Sequence, residues 1–110
     1  MRQKLGQHFL TNLEIPEAIA AALEPSAGDT IIEVGPGHGE LTQAIVRAIE
    51  SSGQKNIKVI AVEKDPLLAE EVRQRFKESP FVEVVCEDIL KFLPFAGDYK
   101  LVGNLPYYLT

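Results

Sequence analysis

A loop with three glycines, Gly35-Pro36-Gly37-His38-Gly39, stands between a short apolar run and an amphipathic stretch, and this junction admits few architectures. Thr30-Ile31-Ile32-Glu33-Val34 reads as a buried strand. Glu40 to about Glu50 reads as a helix whose Leu41, Ala44, Ile45, Ala48 and Ile49 share one face. Glycine at 35 and 37 removes the side chains that would keep a ligand away from the backbone. A strand that turns through such a loop into a helix is the opening half of a βαβ unit, and its loop lies where open α/β sheets bind ligands.

The rest of the chain repeats the alternation. Lys58-Val59-Ile60-Ala61-Val62-Glu63 is a second apolar strand, Pro66 to about Lys77 a helix, and Phe81-Val82-Glu83-Val84-Val85 a third strand. Lys100-Leu101-Val102-Gly103 follows as a fourth strand, after a connection from Leu93 to Asp98 that contains proline and glycine. Ahead of the glycine loop, Asn12 can cap a helix in which Ile15, Ala18, Ile19, Ala22 and Leu23 recur at helical spacing, and Glu24-Pro25 ends it. Strands alternating with helices predict a doubly wound, mainly parallel α/β sheet. Without a repeat, a linker or a low-complexity tract, residues 1–110 are expected to form one domain.

Charge and composition exclude several roles. Sixteen acidic against eleven basic side chains give −5, the wrong sign for holding nucleic acid by bulk charge, so a polyanion must be gripped by a local patch. The single cysteine, Cys86, excludes an internal disulfide, suits a reducing compartment, and is expected to be buried in its strand. No apolar stretch approaches the roughly 20 residues of a membrane span, and the start Met1-Arg2-Gln3-Lys4 lacks a secretory signal. A cytoplasmic protein is expected, with no membrane partner. His8 has no ligand-type neighbour at metal spacing, so no metal is expected.

The glycine loop departs from the dinucleotide fingerprint, which needs a small residue at the sixth place of G-x-G-x-x-G/A; that place is Glu40. Glu63 closes the second strand, where a carboxylate can accept hydrogen bonds from both hydroxyls of a ribose; a solvated strand-end glutamate is the plain alternative. Asp88 follows the third strand at the same sheet edge and suits a donor such as an adenine amino group, or else caps a turn or helix. After the fourth strand comes Asn104-Leu105-Pro106-Tyr107-Tyr108. A carboxamide oxygen and a proline-constrained carbonyl can both accept from an exocyclic amine, while an aromatic ring stacks on its base. A turn with core aromatics is the alternative there. No Ser-His-Asp or Cys-His arrangement can be assembled.

Gly6-Gln7-His8-Phe9-Leu10, Ile32-Glu33-Val34-Gly35-Pro36-Gly37, Val62-Glu63, Glu87-Asp88 and Asn104-Leu105-Pro106-Tyr107 together resemble the ribosomal RNA adenine dimethyltransferase family, in the family's order and over nearly the whole chain. Leu105 and the Gly-Pro-Gly loop look more like its small-subunit branch than like the macrolide-resistance methylases. The resemblance implies a Rossmann-like class I methyltransferase fold. It also implies S-adenosylmethionine as cofactor, and small-subunit ribosomal RNA or the pre-small ribosomal subunit as partner. The product it implies is N6,N6-dimethyladenosine at two adjacent adenosines near the RNA 3′ end. By the same resemblance, Gln7, His8 and Leu10 border the methionine end of the cofactor, while Gly35 and Gly37 let the loop wrap it. Glu63 holds the ribose, Asp88 the adenine, and Asn104, Leu105, Pro106 and Tyr107 receive the target base. Asn12 stands where the family has an acidic residue, and Tyr108 takes no role.

The family continues beyond the Asn104-Leu105-Pro106-Tyr107 motif, so the resemblance further implies an incomplete domain, cut after about the fourth strand, with weak activity or none. Two other readings stay open. One is an NAD(P)-dependent oxidoreductase, opposed by Glu40 and by the lack of a hydride-site signature; the other is a non-catalytic RNA-binding or ribosome-assembly factor on the same fold.

Overall fold

The structure, a computed structural model, describes residues 14–103. Its elements run α1 (Glu14–Leu23), β1 (Thr30–Val34), α2 (Glu40–Ser52), β2 (Lys58–Glu63), α3 (Pro66–Arg75), β3 (Val82–Cys86), α4 (Ile89–Phe92) and β4 (Lys100–Gly103). The strands form one sheet in the order β3-β2-β1-β4, every pairing parallel. From β1 to β3 the chain steps outward one strand at a time, and then it returns past β2 and β1 to place β4 on the far side. That reversal between β1 and β4 is the point at which a doubly wound sheet opens a crevice at its carboxyl edge.

Alternation along each strand divides the core. Ile31 and Ile32 are neighbours, face opposite sides, and are both fully buried, as strands covered on both faces require. On one face Ile31 and Val59 pack with Ala20 of α1 and with Leu41, Ala44, Ile45 and Ile49 of α2. Val46, Val72 and Phe76 extend this layer beneath α3, against Val82 and Val84. On the other face Ile32, Ile60 and Val62 meet Val85, Ile89, Phe92 and Phe95. The double winding is therefore uneven among the described residues. Three helices cover the first face, whereas α4 and the segment after it cover part of the second and leave Leu101, the register partner of Ile32, 52% exposed.

Several expectations need correction. Cys86 is exposed rather than buried, because β3 is an edge strand and its last residue stands at the open end of the sheet. Helix α1 buries Pro16 and Ala20, with Ile19 and Leu23 half-buried, and leaves Ala18 and Ala22 exposed. In so alanine-rich a helix the periodicity fits more than one face, and docking on α2 selects among them. Helix α3 stops at Arg75, short of Lys77, because Phe76 leaves helical geometry (φ −112°) and turns into the core beside Val46 and Val72. Strand β3 begins at Val82 rather than Phe81, and α4 was not foreseen as a helix.

One polar contact binds the ends of the layer. Lys100 Nζ at the start of β4 donates to the carbonyls of Leu23 (2.6 Å) and Glu24 (3.1 Å), where α1 ends, and pairs with Asp29 Oδ2 at 2.9 Å. A cation placed on the last carbonyls of a helix satisfies acceptors that have no partner within the helix.

Candidate functional site

Strand β1 delivers the chain to the glycine loop at the carboxyl edge. Gly37 has φ 60° and Gly39 φ 100°, left-handed values that side-chain-bearing residues avoid. The two differ in surroundings. A Cβ built on Gly37 meets nothing within 4 Å, so its backbone is bare to the space beside the loop. At Gly39 a Cβ would lie 2.9 Å from Phe76 Cε2, so that glycine also permits a close approach of α3. Gly35 continues the ladder by donating to Val62 O at 2.9 Å.

Glu63, at the end of β2, is 7% exposed. Its Oε1 accepts from the Gly37 amide at 3.2 Å, and its Oε2 accepts from the Asp65 amide at 3.1 Å. Each oxygen keeps a further lone pair, so the carboxylate holds the loop and still has acceptor capacity toward the cleft. Asp88, after β3, takes the capping role weighed for it. Its Oδ1 accepts from the Leu90 amide at 2.9 Å and caps α4, which leaves Oδ2 without a partner among the described residues.

Gly35, Glu63 and Asp88 line one cleft of about 440 Å³, walled on its apolar side by Val62, Ile89 and Leu90. This volume lies in the range of about 300–1,000 Å³ typical of small-molecule sites. Leu90 is 81% exposed, an apolar side chain presented where a flat ring can lie. The polar lining adds Glu87 and Lys64. With Glu63 and Asp88, carboxylates outnumber the ammonium, so the cleft favours a cationic or hydroxyl-rich ligand over a dianionic pyrophosphate. Glu40 in the first turn of α2 opposes an anion at that helix end as well.

Beneath the loop Glu33 is 1% exposed. Thr42 Oγ1 of α2 donates to its Oε1 at 2.5 Å. Burial pushes the carboxyl up to about 7, the Thr42 hydrogen bond pulls it back, and the negative charge of Glu63 adds to the rise.

Of the residues singled out from sequence, Gly35, Glu63 and Asp88 are thus brought together, and Gly37 is joined to them through Glu63. Gln7, His8, Leu10, Asn104, Leu105, Pro106 and Tyr107 lie outside the described residues, as does Asn12. Sequence reasoning missed Ile89 and Leu90, although an apolar pair directly after a strand-end aspartate was a readable signal. It also missed Thr42, whose tie to Glu33 is a tertiary fact. Among the described residues no group of three or more His, Cys, Asp or Glu side chains is arranged to hold a metal.

The sequence pattern of the family described as ribosomal RNA adenine dimethylase matches residues 1–110. The ribosomal RNA small subunit methyltransferase A of Dehalococcoides mccartyi strain CBDB1 is 43% identical over 114 residues, covering 99% of this chain and 37% of that protein. Among solved structures, the 23S rRNA methyltransferase ErmE superposes with a TM-score of 0.70 at 29% identity, covering 84% of this chain and 35% of that one. A dimethyladenosine transferase from Plasmodium falciparum superposes with a TM-score of 0.61 at 25% identity, covering 87% and 33%. The chain spans about two fifths of the length of the curated relatives it matches.

Proposed function

The chain belongs to the ribosomal RNA adenine dimethylase family, and from that premise we propose that its cleft binds S-adenosylmethionine. We further propose that it forms the donor-binding part of an rRNA adenine N6,N6-dimethyltransferase. The substrate on this reading is small-subunit ribosomal RNA or the pre-small ribosomal subunit in the cytoplasm, at two adjacent adenosines near the 3′ end. What carries the reading is the convergence of Gly35, Glu63 and Asp88, from the ends of three strands, on one acidic cleft.

The residues present fit this cofactor. Glu63 has lone pairs left for two ribose hydroxyls, Asp88 Oδ2 for an adenine amino group, and Ile89 and Leu90 offer an apolar wall to the ring. Gly35 in the cleft wall and the bare backbone at Gly37 admit the methionine end, which Gln7, His8 and Leu10 border on this reading. S-adenosylmethionine supplies an electrophilic methyl group on a sulfonium. Asn104 and the backbone of Leu105 and Pro106 accept from the N6 amine of a base turned out of its stack, and so aim its lone pair. Tyr107 stacks on that base. These residues follow β4 directly in sequence, and Gly103 pairs with Val34, one residue before Gly35. Positioning and electrostatics carry the rate, with no side chain assigned as general base.

A calorimetric titration with S-adenosylhomocysteine tests the cofactor reading, with NADH as control ligand and Glu63→Ala as control protein. Selective binding that Glu63→Ala loses supports it, while preference for NADH sinks it in favour of the oxidoreductase. In a complete enzyme of the relatives' length, methyl transfer to small-subunit RNA that Asn104→Ala abolishes, with S-adenosylhomocysteine affinity kept within about threefold, supports the catalytic assignment. RNA binding indifferent to the cofactor favours the assembly-factor reading.

A further inference from the structure

The glycine loop is held from two sides, and only one of them is the cleft. On the outer side α3 presents a stripe at helical spacing. Glu71 Oε2 lies 2.7 Å from His38 Nδ1, and one turn later the Arg75 guanidinium donates to His38 O at 2.6 Å. Phe76, 6% exposed, then packs directly against Gly39. The peptide between His38 and Gly39 is therefore fixed at both ends, since its carbonyl is taken by Arg75 and its amide donates to Pro36 O at 2.9 Å. A planar peptide so anchored cannot rotate, and both flanking dihedrals are constrained with it. These dihedrals are ψ of His38 and the left-handed φ of Gly39, and they set the course of the loop two residues after the Gly37 amide that bonds Glu63.

We propose that Glu71 and Arg75 are positioning residues: through His38 they hold the glycine loop in its ligand-ready shape from the side away from the cleft, and so set the affinity for S-adenosylmethionine without touching it. The inference rests on the cofactor reading for its ligand and on geometry alone for the clamp. Binding to a loop already in its bound shape spends no free energy on ordering it.

The clamp is also expected to respond to pH. His38 is held protonated above its ordinary value of 6.5, by the Glu71 hydrogen bond and charge first and by Glu40 of α2, while Arg75 works against it. With the proton on, Glu71 and His38 form an ion pair, so the clamp is at full strength below pH 6.5 and weakens as pH rises through the raised value.

The test uses the full chain and two readouts. In the ligand-free protein, Arg75→Ala is expected to speed amide exchange at Gly39 by about tenfold or more, while exchange in the core of β1 and β2 stays unchanged. Toward S-adenosylhomocysteine, Arg75→Ala is expected to weaken affinity about tenfold, and Arg75→Lys, which can still donate to His38 O, to recover most of it. Glu71→Gln keeps a hydrogen bond and should flatten the pH dependence of affinity above pH 6.5. Unchanged Gly39 exchange overturns the clamp whatever the ligand result. Affinity within about twofold of wild type in both Arg75→Ala and Glu71→Ala, under conditions where Glu63→Ala abolishes binding, overturns its role in affinity and leaves the cofactor reading standing. A wild-type chain that ignores the ligand, with exchange at Gly39 accelerated as expected, refutes the cofactor reading and the affinity role together and leaves the mechanical clamp intact.

Discussion

Replacing Glu33 by glutamine should make the protein more stable at neutral pH and change little in acid. Glu33 rises from an ordinary 4.5 to about 7 in the folded chain, so folding takes up a proton between those values. The folded state binds more protons there than the unfolded one, and stability must fall as pH climbs from about 4.5 to 7. At 1.36 kcal/mol per pKa unit, the full loss above pH 7 is about 3 kcal/mol. For a domain of this size that is roughly 12 °C in Tm. Glutamine has the shape of the neutral carboxyl and keeps an acceptor for the Thr42 hydroxyl, so Glu33→Gln removes the ionisation while retaining the contact. Urea denaturation of both proteins at half-unit steps between about pH 4.5 and 8 measures the difference, and the subtraction cancels the other carboxylates. The difference should open with pH to about 3 kcal/mol. A difference constant to within about 0.5 kcal/mol across that range refutes the reasoning, since it means that Glu33 is not a buried acid forced to ionise. Thr42→Val should push the Glu33 titration still higher, because the hydroxyl is what pulls it down.

Three further outcomes are expected. Lys100→Met leaves the Leu23 and Glu24 carbonyls and Asp29 without their cation and should cost about 1–2 kcal/mol in chemical denaturation. Lys100 and the Ser26 amide hold Asp29 below its ordinary 3.8, so this stabilisation is present above that value, fades as pH falls through the lowered one, and should be reduced in the variant's acid limb to the part the Ser26 amide supplies. Gly39→Ala combines a φ of 100° with a Cβ placed 2.9 Å from Phe76 Cε2; it should lower stability by about 1–3 kcal/mol and weaken S-adenosylhomocysteine binding, as thermal shift and calorimetry would read. Asp65→Ala removes the side chain that accepts from the Leu67 amide at 2.9 Å and the Leu68 amide at 3.4 Å; about 1 kcal/mol should be lost in urea titration, with m unchanged.

Local chemistry explains which parts of the site were legible. The glycine loop was visible because left-handed backbone at a strand-to-helix turn demands glycine. Glu63 and Asp88 were visible because a carboxylate at the carboxyl end of an apolar strand stands out against its neighbours. Asp88 proved to be a cap through one oxygen, and its other oxygen has no partner among the described residues. The buried face of α1 was misjudged because alanines at 18, 20, 21 and 22 give the periodicity little contrast. The exposure of Cys86 depended on which strand lies at the sheet edge, which no local pattern encodes.

The sequence by itself determined the alternation of strands and helices, the glycine loop and the acidic strand ends, since each follows from the period of apolar residues or the backbone freedom of one residue type. Only the tertiary structure decided that β4 sits beside β1, that Thr42 lies against Glu33, and that Glu71, Arg75 and Phe76 reach the loop more than thirty residues upstream. Those contacts join residues of different elements, and their free energy exists only once the sheet has ordered and two helices have packed on one face. A strand, a turn or a cap carries its reason within a few residues, whereas a clamp between helix and loop carries it only in the fold.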